Sequence, residues 1–383
     1  MSSYRHRGRG RPQNTTSHVQ TPRRPITQQQ QLQLLSSPSR SDGPPKAGEA
    51  SLLNIATQNE YRTFIQGKID AFVKRFPEST DPTRSRTDQE VELGQNILIL
   101  FRKLREGVIA SKRLDVFAVE LYETSACWSI LLRDGAQSTS ILSQLPELLL
   151  NYHALTTTQP SQPSASPRPS SDRWAWKSEM VVIYFLHLLR NKWPSQTEFL
   201  AALSTRPQRR TGSEPSRSIF PTHTSEDDTF VGEIRAYLTS LATSIRRANY
   251  FALATLLDPK GNEFLGSLIL ARFTSSQDDE HIVKLRADTL LLSVNYLREL
   301  ARDEIAWKCM HSAYREVSMR EDARSWLSQR LFFTDGEDGK MAVDTWMEKR
   351  VEKGDLTKKE AIQAPGTSGS WLMRRAAVVT PAR

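Results

Sequence analysis

Cysteine is scarce in this sequence, with two residues, Cys127 and Cys309, in a chain of 383. Two cysteines cannot form a disulfide framework, and they are too few for a zinc module whose ligands are cysteines. Long apolar runs are also missing, because the longest, around Met180 to Leu189, is about half of what a bilayer crossing needs. The first ten residues are charged and contain no apolar stretch, unlike a secretory signal. We therefore expect a soluble intracellular protein that does not enter a membrane.

Patterns that mark a catalytic or metal site are missing as well. The sequence contains no H-E-x-x-H motif, no acidic cluster at metal-ligand spacing and no glycine-rich phosphate loop. Both cysteines lie in apolar helical segments, where packing explains them better than catalysis does. The isolated histidines are His153, His187, His223, His281 and His311. These observations predict a non-enzymatic protein without a cofactor, a metal or a small-molecule substrate. A helical enzyme with an unrecognised site is the alternative that stays open.

Positive charge is concentrated at the two ends of the chain. The formal net charge of +9 divides into +6 from residues 1–50 and +3 from residues 361–383, whereas the part between them is neutral. A basic end on a neutral body is typical of an arm that contacts nucleic acid or another acidic partner. The candidate contacts with RNA or DNA are arginines of both ends: Arg5, Arg7, Arg9, Arg11, Arg374 and Arg375.

The segment R-H-R-G-R-G-R-P at residues 5–12 resembles an AT-hook. Glycine lets the backbone approach the floor of the minor groove, arginine enters its negative potential, and proline keeps the chain extended. The same residues would also suit a generic RNA-binding tract, a nuclear-import tract, or a tail that binds polyanions without specificity. These alternatives stay open.

Composition divides the chain into three parts. Residues 1–50 are rich in Ser, Pro, Gln, Arg and Gly, and they are predicted to be disordered. Between residues 51 and 317 apolar side chains recur at three- and four-residue steps, which predicts a domain of helical repeats. Two low-complexity inserts, 156–172 and 205–227, interrupt this domain. Residues 318–383 have a different pattern and are predicted to form a C-terminal module.

Several segments predict particular helices. Thr87 to Glu90 has the pattern of a capping box, in which the threonine hydroxyl and the glutamate carboxylate each accept a free backbone N–H. Trp174 to Leu189 is apolar nearly all round, which predicts a central, buried helix. Gly135 suits a left-handed helix stop. A long helix is expected from about Asp279 to Val317.

The C-terminal module combines short helices with strand-like runs. Helices are predicted at about 319–331 and 338–351. Two short runs follow, Glu360 to Gln363 and Trp371 to Val379, around a Gly/Pro/Ser turn that suits a β-hairpin. Compact helices followed by a hairpin are the order of a winged helix. The predicted fold class is all-α, an α-solenoid of helical repeats followed by a winged-helix module, with a disordered N-terminal tail.

Two segments carry a family resemblance. In residues 106–149, the pattern F-x-V-E-x-Y-E-x-x-A starting at Phe117 resembles the Sac-three/GANP family of PCI-type proteins, and Asp134-Gly135 and Gln144-Leu145 follow it as in that family. Residues 301–333, from A-R-D-E-I-A to the apolar L-F-F end, are still more similar to the proteasome-lid subunit of the same broad grouping. These motifs are packing signatures, so they indicate a fold.

The resemblance implies a non-catalytic scaffold subunit that docks edge to edge with other PCI subunits. The basic N-terminus favours a nuclear complex linked to mRNA processing or export, with the cytoplasm as a further location. The alternative is a lid-like subunit of the proteasome regulatory particle, acting in protein degradation without nucleic acid. Basic and acidic residues are mixed in the module, which favours pairing with sister subunits over DNA binding. The interface is expected to include Trp326, Leu331, Phe332, Phe333 and Trp346.

Overall fold

The computed structural model describes residues 28–38, 51–77, 85–158, 178–204, 228–270, 280–333, 337–359 and 369–373. Most residues in these ranges are helical, and three short strands lie near the C-terminal end. The prediction of a mainly helical protein is therefore confirmed. Most of the tail and of the two inserts that were predicted to be disordered lies outside the described residues.

The first five helices run from the N-terminal segment to the first insert. They are α1 (Gln28–Leu34), α2 (Ile55–Arg75), α3 (Asp88–Ala110), α4 (Val116–Leu131) and α5 (Gly135–Thr158). From α2 to α5, each helix packs against the next. Helix α1 departs from the disorder predicted for residues 1–50, because Leu32 is buried against the core and the helix contacts α2.

The ends of these helices confirm one local prediction in part and correct another. The Thr87 hydroxyl accepts the backbone N–H of Glu90 at 3.3 Å, as the capping box requires. The Glu90 carboxylate lies 3.7 Å from Arg86 Nε, a contact that a capping box does not include. Gly135 is not the left-handed stop of α4, because Arg133 holds the positive φ of 61°. Gly135 instead begins α5, and Asp134 caps that helix through the N–H of Gln137.

The remaining seven described helices of the body include α11, which makes contacts with several of the others. They are α6 (Ser178–Asn191), α7 (Thr197–Leu203), α8 (Asp228–Arg246), α9 (Tyr250–Leu256), α10 (Glu263–Leu270), α11 (Glu280–Ala301) and α12 (Trp307–Ala313). Helix α11 packs against α4, α6, α9 and α10, so it joins the first helices to the later ones. The predicted central helix is confirmed by α6, in which Val181, Ile183 and Phe185 are completely buried.

The long helix predicted from Asp279 to Val317 is shorter and less regular in the structure. Helix α11 continues through a π-helical turn, Arg302–Ala306, into α12, which ends at Ala313. A π turn widens the helix by one residue and rotates the following side chains relative to the preceding ones. Val317 lies in a strand instead, where it is 7 % exposed. The apolar residues keep close to a four-residue spacing through this segment, so no sequence pattern indicated the interruption.

A small antiparallel sheet and two helices form the C-terminal module. The elements are β1 (Glu316–Ser318), α13 (Glu321–Arg330), α14 (Glu337–Glu352), β2 (Leu356–Lys359) and β3 (Ser370–Met373), with the strand order β1-β3-β2. The two predicted helices are confirmed. The strand that pairs with β3 is β2, in which the core buries Leu356, whereas residues 360–363 and 374–379 of the predicted hairpin lie outside the described residues.

A buried ion pair ties α11 to α4. Arg286 Nη2 lies 2.5 Å from Glu123 Oε2, and the two side chains are 10 % and 4 % exposed. The pKa of Arg286 is raised by this carboxylate in spite of its burial. Removing either partner would leave the other charge buried without compensation, which costs far more than losing a surface pair.

We expect Arg286→Met to lower the free energy of unfolding by about 3–5 kcal/mol, because it strands the Glu123 charge. The double variant Glu123→Leu/Arg286→Met should recover most of this loss, since neither charge remains. The exposed pair Lys192–Glu198 is the matched control, and Lys192→Met should cost about 1 kcal/mol or less. Urea unfolding of the four proteins measures these differences. Equal losses of unfolding free energy in Arg286→Met and Lys192→Met would contradict the claim that the Arg286–Glu123 pair is buried.

Candidate partner interface

The arginines predicted to contact nucleic acid lie outside the described residues. This holds for Arg5, Arg7, Arg9 and Arg11 at one end and for Arg374 and Arg375 at the other. The structure therefore neither brings them together nor separates them. Their role stays a prediction from charge and composition.

The five residues predicted to form a partner interface occupy two kinds of position. Leu331 and Phe332 are 0 % and 4 % exposed, so they belong to the core of this chain. Phe332 has a φ of 59°, an uncommon conformation for a large side chain, at the turn that ends α13. Trp326, Phe333 and Trp346 are half-buried. Only these last three keep surface that a partner could contact.

Arg302, at the start of the π turn, holds the end of α13 to the helical body. Its Nε donates to the Leu331 carbonyl at 2.6 Å, and Nη2 lies 3.4 Å from the Phe332 carbonyl. Its guanidinium carbon lies 3.8 Å from the centre of the Phe333 ring. Burial lowers the pKa of Arg302 to about 10, so the side chain stays charged at neutral pH. One half-buried cation thus satisfies two carbonyls and one aromatic face.

A second set of contacts joins the same turn to α14. Arg350 Nη2 lies 2.6 Å from Asp303 Oδ1 and Nη1 lies 3.1 Å from Asp355 Oδ2. The Trp346 indole N–H donates to the same Asp303 oxygen at 3.3 Å. The rings of Trp346 and Trp307 meet edge to face at 5.2 Å, with Arg350 beside both. We call Arg302, Asp303, Phe333, Trp346 and Arg350 the joint.

The joint changes the interpretation of two predicted interface residues. Phe333 and Trp346 are half-buried because the helical body already covers one side of each ring. Trp326 differs, since its ring meets the 41 % exposed ring of Tyr314 edge to face at 5.6 Å. Sequence reasoning missed Arg302, Asp303 and Arg350, because their partners are about 30 to 50 residues away along the chain.

The outward surface of α14 carries charges of both signs. Among its residues whose side chains the structure describes, the exposed charged ones are Asp338, Glu348, Lys349 and Glu352, and Glu348 lies 3.6 Å from Lys358 Nζ. Met341, 67 % exposed, lies on the same helix. The exposed Lys353 follows the helix, so acidic and basic groups are mixed on this surface. A mixed surface with an exposed methionine suits a protein partner better than the phosphates of DNA.

The hydrogen bonds of the sheet define which backbone groups face outward. Met373 N–H donates to the Arg315 carbonyl at 2.9 Å, and Met319 N–H donates to the Gly369 carbonyl at 2.8 Å. The backbone N–H and C=O groups of residues 369, 371 and 373 therefore face β1. Since the backbone groups of successive residues in a strand point towards opposite neighbouring strands, those of Ser370 and Leu372 face β2.

The same alternation defines the outer edge of β2. Thr357 and Lys359 pair with the β3 residues that face β2, so their backbone groups point into the sheet. The N–H of Lys358 points away from it. On β1, the backbone of Glu316 points outward by the same argument. Both outer strands thus present backbone donors and acceptors to which a further strand could add.

The histidine and the cysteine buried in the body serve packing. His187 Nε2 lies 2.6 Å from Asn191 Nδ2 and 3.2 Å from Thr139 Oγ1, so its neighbours are amide and hydroxyl groups. Burial raises the pKa of the Cys127 thiol to about 12, which keeps it protonated and unreactive. His153 and His281 lie in described helices whose side chains the structure does not describe there, and His223 lies outside the described residues.

Within the described ranges, no group of three or more His, Cys, Asp or Glu side chains is placed to hold a metal ion. No helix in that part of the chain is long and apolar enough to cross a membrane. No known family model matches the chain, and no curated protein is significantly similar to it.

The joint should hold the end of α13 against spontaneous opening. Arg302→Ala leaves the carbonyls of Leu331 and Phe332 without their donor and uncovers Phe333, so we expect residues 328–333 and 337–340 to exchange amide hydrogen at least about tenfold faster. Hydrogen exchange with mass spectrometry measures this. Arg315→Ala, an exposed arginine of the same module, is the control and should leave these rates unchanged. Unaltered exchange in Arg302→Ala would show that the joint does not hold the module.

The pKa of His187 predicts how stability depends on pH. Burial, and then the nearby charge of Arg190, lowers this pKa from 6.5 to about 4. The unfolded chain therefore binds the proton more readily, and stability falls as the pH drops from 6.5 towards 4, by roughly 3 kcal/mol at most. His187→Gln should remove this part of the dependence. Urea unfolding at pH 7 and pH 4.5 tests it, and identical pH slopes for both proteins would contradict the prediction.

Proposed function

We propose that this chain is a non-catalytic scaffold subunit of PCI type, in which helical repeats carry a C-terminal winged helix. The observation that carries the proposal is the order of elements from α12 onwards. A helix precedes β1, two helices follow, and β2 and β3 close a sheet with the order β1-β3-β2. A winged helix has this order and this pairing.

The first part of the body, from α2 to α5, supports the repeat part of the proposal. From α2 to α5 each helix packs against its neighbour in sequence, as the helices of an α-solenoid do. Each pair leaves an apolar face that the next helix covers. Helix α11 then returns to α4 and α6, so the later helices close onto the earlier ones instead of extending the row.

Edge-to-edge docking of the module follows from the sheet. Both outer strands are short, and both direct backbone groups outward, so one subunit could be joined at β1 and another at β2. Such head-to-tail pairing generates a row or an arc of subunits. The joint supports this function, because a module fixed to the body transmits the direction of one subunit to the next.

The basic N-terminal segment would contact RNA or DNA, and a nuclear complex in mRNA processing or export would use such an arm. The mixed charges and the exposed Met341 on the outward surface of α14 support the proposal that the module itself binds protein. They also suit the alternative, a lid-like subunit of the proteasome regulatory particle. The proteins that co-purify with the full chain separate the two: mRNA factors support the first, and lid and ATPase subunits support the second.

Docking through β2 predicts a particular effect of proline. Lys358→Pro removes an N–H that points away from the sheet, so it should spare the β2–β3 ladder and abolish co-purification of the partner at that edge. Lys358→Ala, which keeps the N–H, is the matched control and should retain the partner. Circular dichroism and thermal unfolding report whether both variants fold. A folded Lys358→Pro protein that retains every partner would contradict docking at this edge.

A further inference from the structure

A groove of about 510 Å³ lies between α1, α2 and α3, far along the chain from the C-terminal sheet. Its floor is apolar and includes the buried side chains of Phe64, Phe72 and Ile97. Leu100 also lines it, and Ile99, 38 % exposed, extends its apolar surface. A groove of this size takes two or three large apolar side chains of another molecule.

The charged residues that line the groove are all basic. They are Lys68, Arg75 and Lys103, and no described lining residue is acidic. Residues 51–360 as a whole are neutral, so this local excess of positive charge is not a property of the body in general. An apolar floor beside three cations favours a ligand that is apolar on one side and anionic at its flanks.

Within the part of the chain that the structure describes, the contacts of these three cations do not neutralise them. Lys68 Nζ lies 5.3 Å from the ring centre of Phe64, and Arg75 Nη2 donates to Gln89 Oε1 at 2.8 Å. Lys103 Nζ donates to the Leu35 carbonyl at 3.0 Å, which fixes the segment after α1 at the groove. A ring, an amide and a carbonyl carry no formal charge, so the positive potential persists.

The chain segments that flank α1 do not suit the groove. Residues 1–27 contain six arginines and no acidic residue, so the rim would repel them. Residues 39–50 contain no large apolar side chain to fill the floor. Nucleic acid would be attracted to the rim, but the rings of Phe64 and Phe72 in the floor are only 8 % and 3 % exposed, so they offer bases little surface on which to stack.

We propose that this groove binds an acidic amphipathic helix of a partner protein. Apolar side chains at positions i, i+3 or i+4, and i+7 enter the groove, and carboxylates beside them pair with Lys68, Arg75 and Lys103. This second interface does not use the C-terminal sheet, so it can be right or wrong independently of the proposed scaffold function. It gives the body a contact of its own.

A pair of designed peptides tests the proposal on the full chain. The probe is a fluorescent helix of about 16 residues with leucines at i, i+3 and i+7, glutamates beside them and alanines elsewhere. Its counterpart carries lysines in place of the glutamates. Fluorescence anisotropy should detect saturable binding of the acidic peptide, weakening as salt is raised, and much weaker binding of the basic one.

Two matched sets of variants locate the binding. Lys68→Glu and Arg75→Glu should each weaken binding of the acidic peptide roughly fivefold and strengthen binding of the basic peptide. Lys74 is exposed on α2 but lies outside the groove lining, so Lys74→Glu should change the affinity for neither peptide. Ile99→Asp should weaken binding of the acidic peptide. Ile109 is 57 % exposed on the same helix, and Ile109→Asp should leave that binding unchanged. All five substitutions alter exposed side chains, which keeps the fold intact.

Each remaining outcome overturns the proposal. Equal binding of the two peptides, or equal effects of Lys68→Glu and Lys74→Glu, would show that the groove does not select an acidic helix. Binding of single-stranded RNA that depends on Lys68 and Arg75, without peptide binding, would assign the rim to nucleic acid. Self-association of the chain that Ile99→Asp abolishes would assign the groove to a second copy.

Discussion

The position of α11 is the constraint on which the rest of the structure depends. This helix packs against α4, α6, α9 and α10, so its apolar side chains are covered from several directions. Its buried Arg286 lies 2.5 Å from Glu123 of α4. A buried pair tolerates little displacement, because separation leaves each charge in an apolar interior. The pair therefore sets the register of α11 along α4.

The joint extends this constraint to the C-terminal module. Helix α11 continues directly into the π turn, and that turn presents Arg302 and Asp303 to α13 and α14. A rigid connection matters for a scaffold, because the directions of β1 and β2 determine where neighbouring subunits lie. The joint would thus convert a local arrangement of two arginines and two aromatic rings into the geometry of an assembly. The apolar groove beside α1 would add a contact at the opposite end of the described sequence.

Local patterns in the sequence predicted what depends on neighbouring residues. The helical periodicity, the buried helix α6 and the N-cap at Thr87 follow from spacings of a few residues. Such patterns do not predict contacts between residues that are far apart along the chain. The π turn at Arg302, the burial of Leu331 and Phe332, and the Arg350–Asp303 pair depend on elements that meet only in the folded chain. A hydrophobic L-F-F end has the same composition whether it meets a partner or its own core.

The distance between the module and the helical body tests the central claim most directly. Spin labels on cysteines placed at the exposed Lys353 and Lys284, in a chain whose Cys309 is replaced by serine, report this distance by pulsed electron resonance. A module held by the joint predicts one narrow distance distribution in the full chain, which broadens when Arg302 is replaced by alanine. A broad distance distribution in the chain that keeps Arg302 would mean that the module moves freely, and would contradict the account.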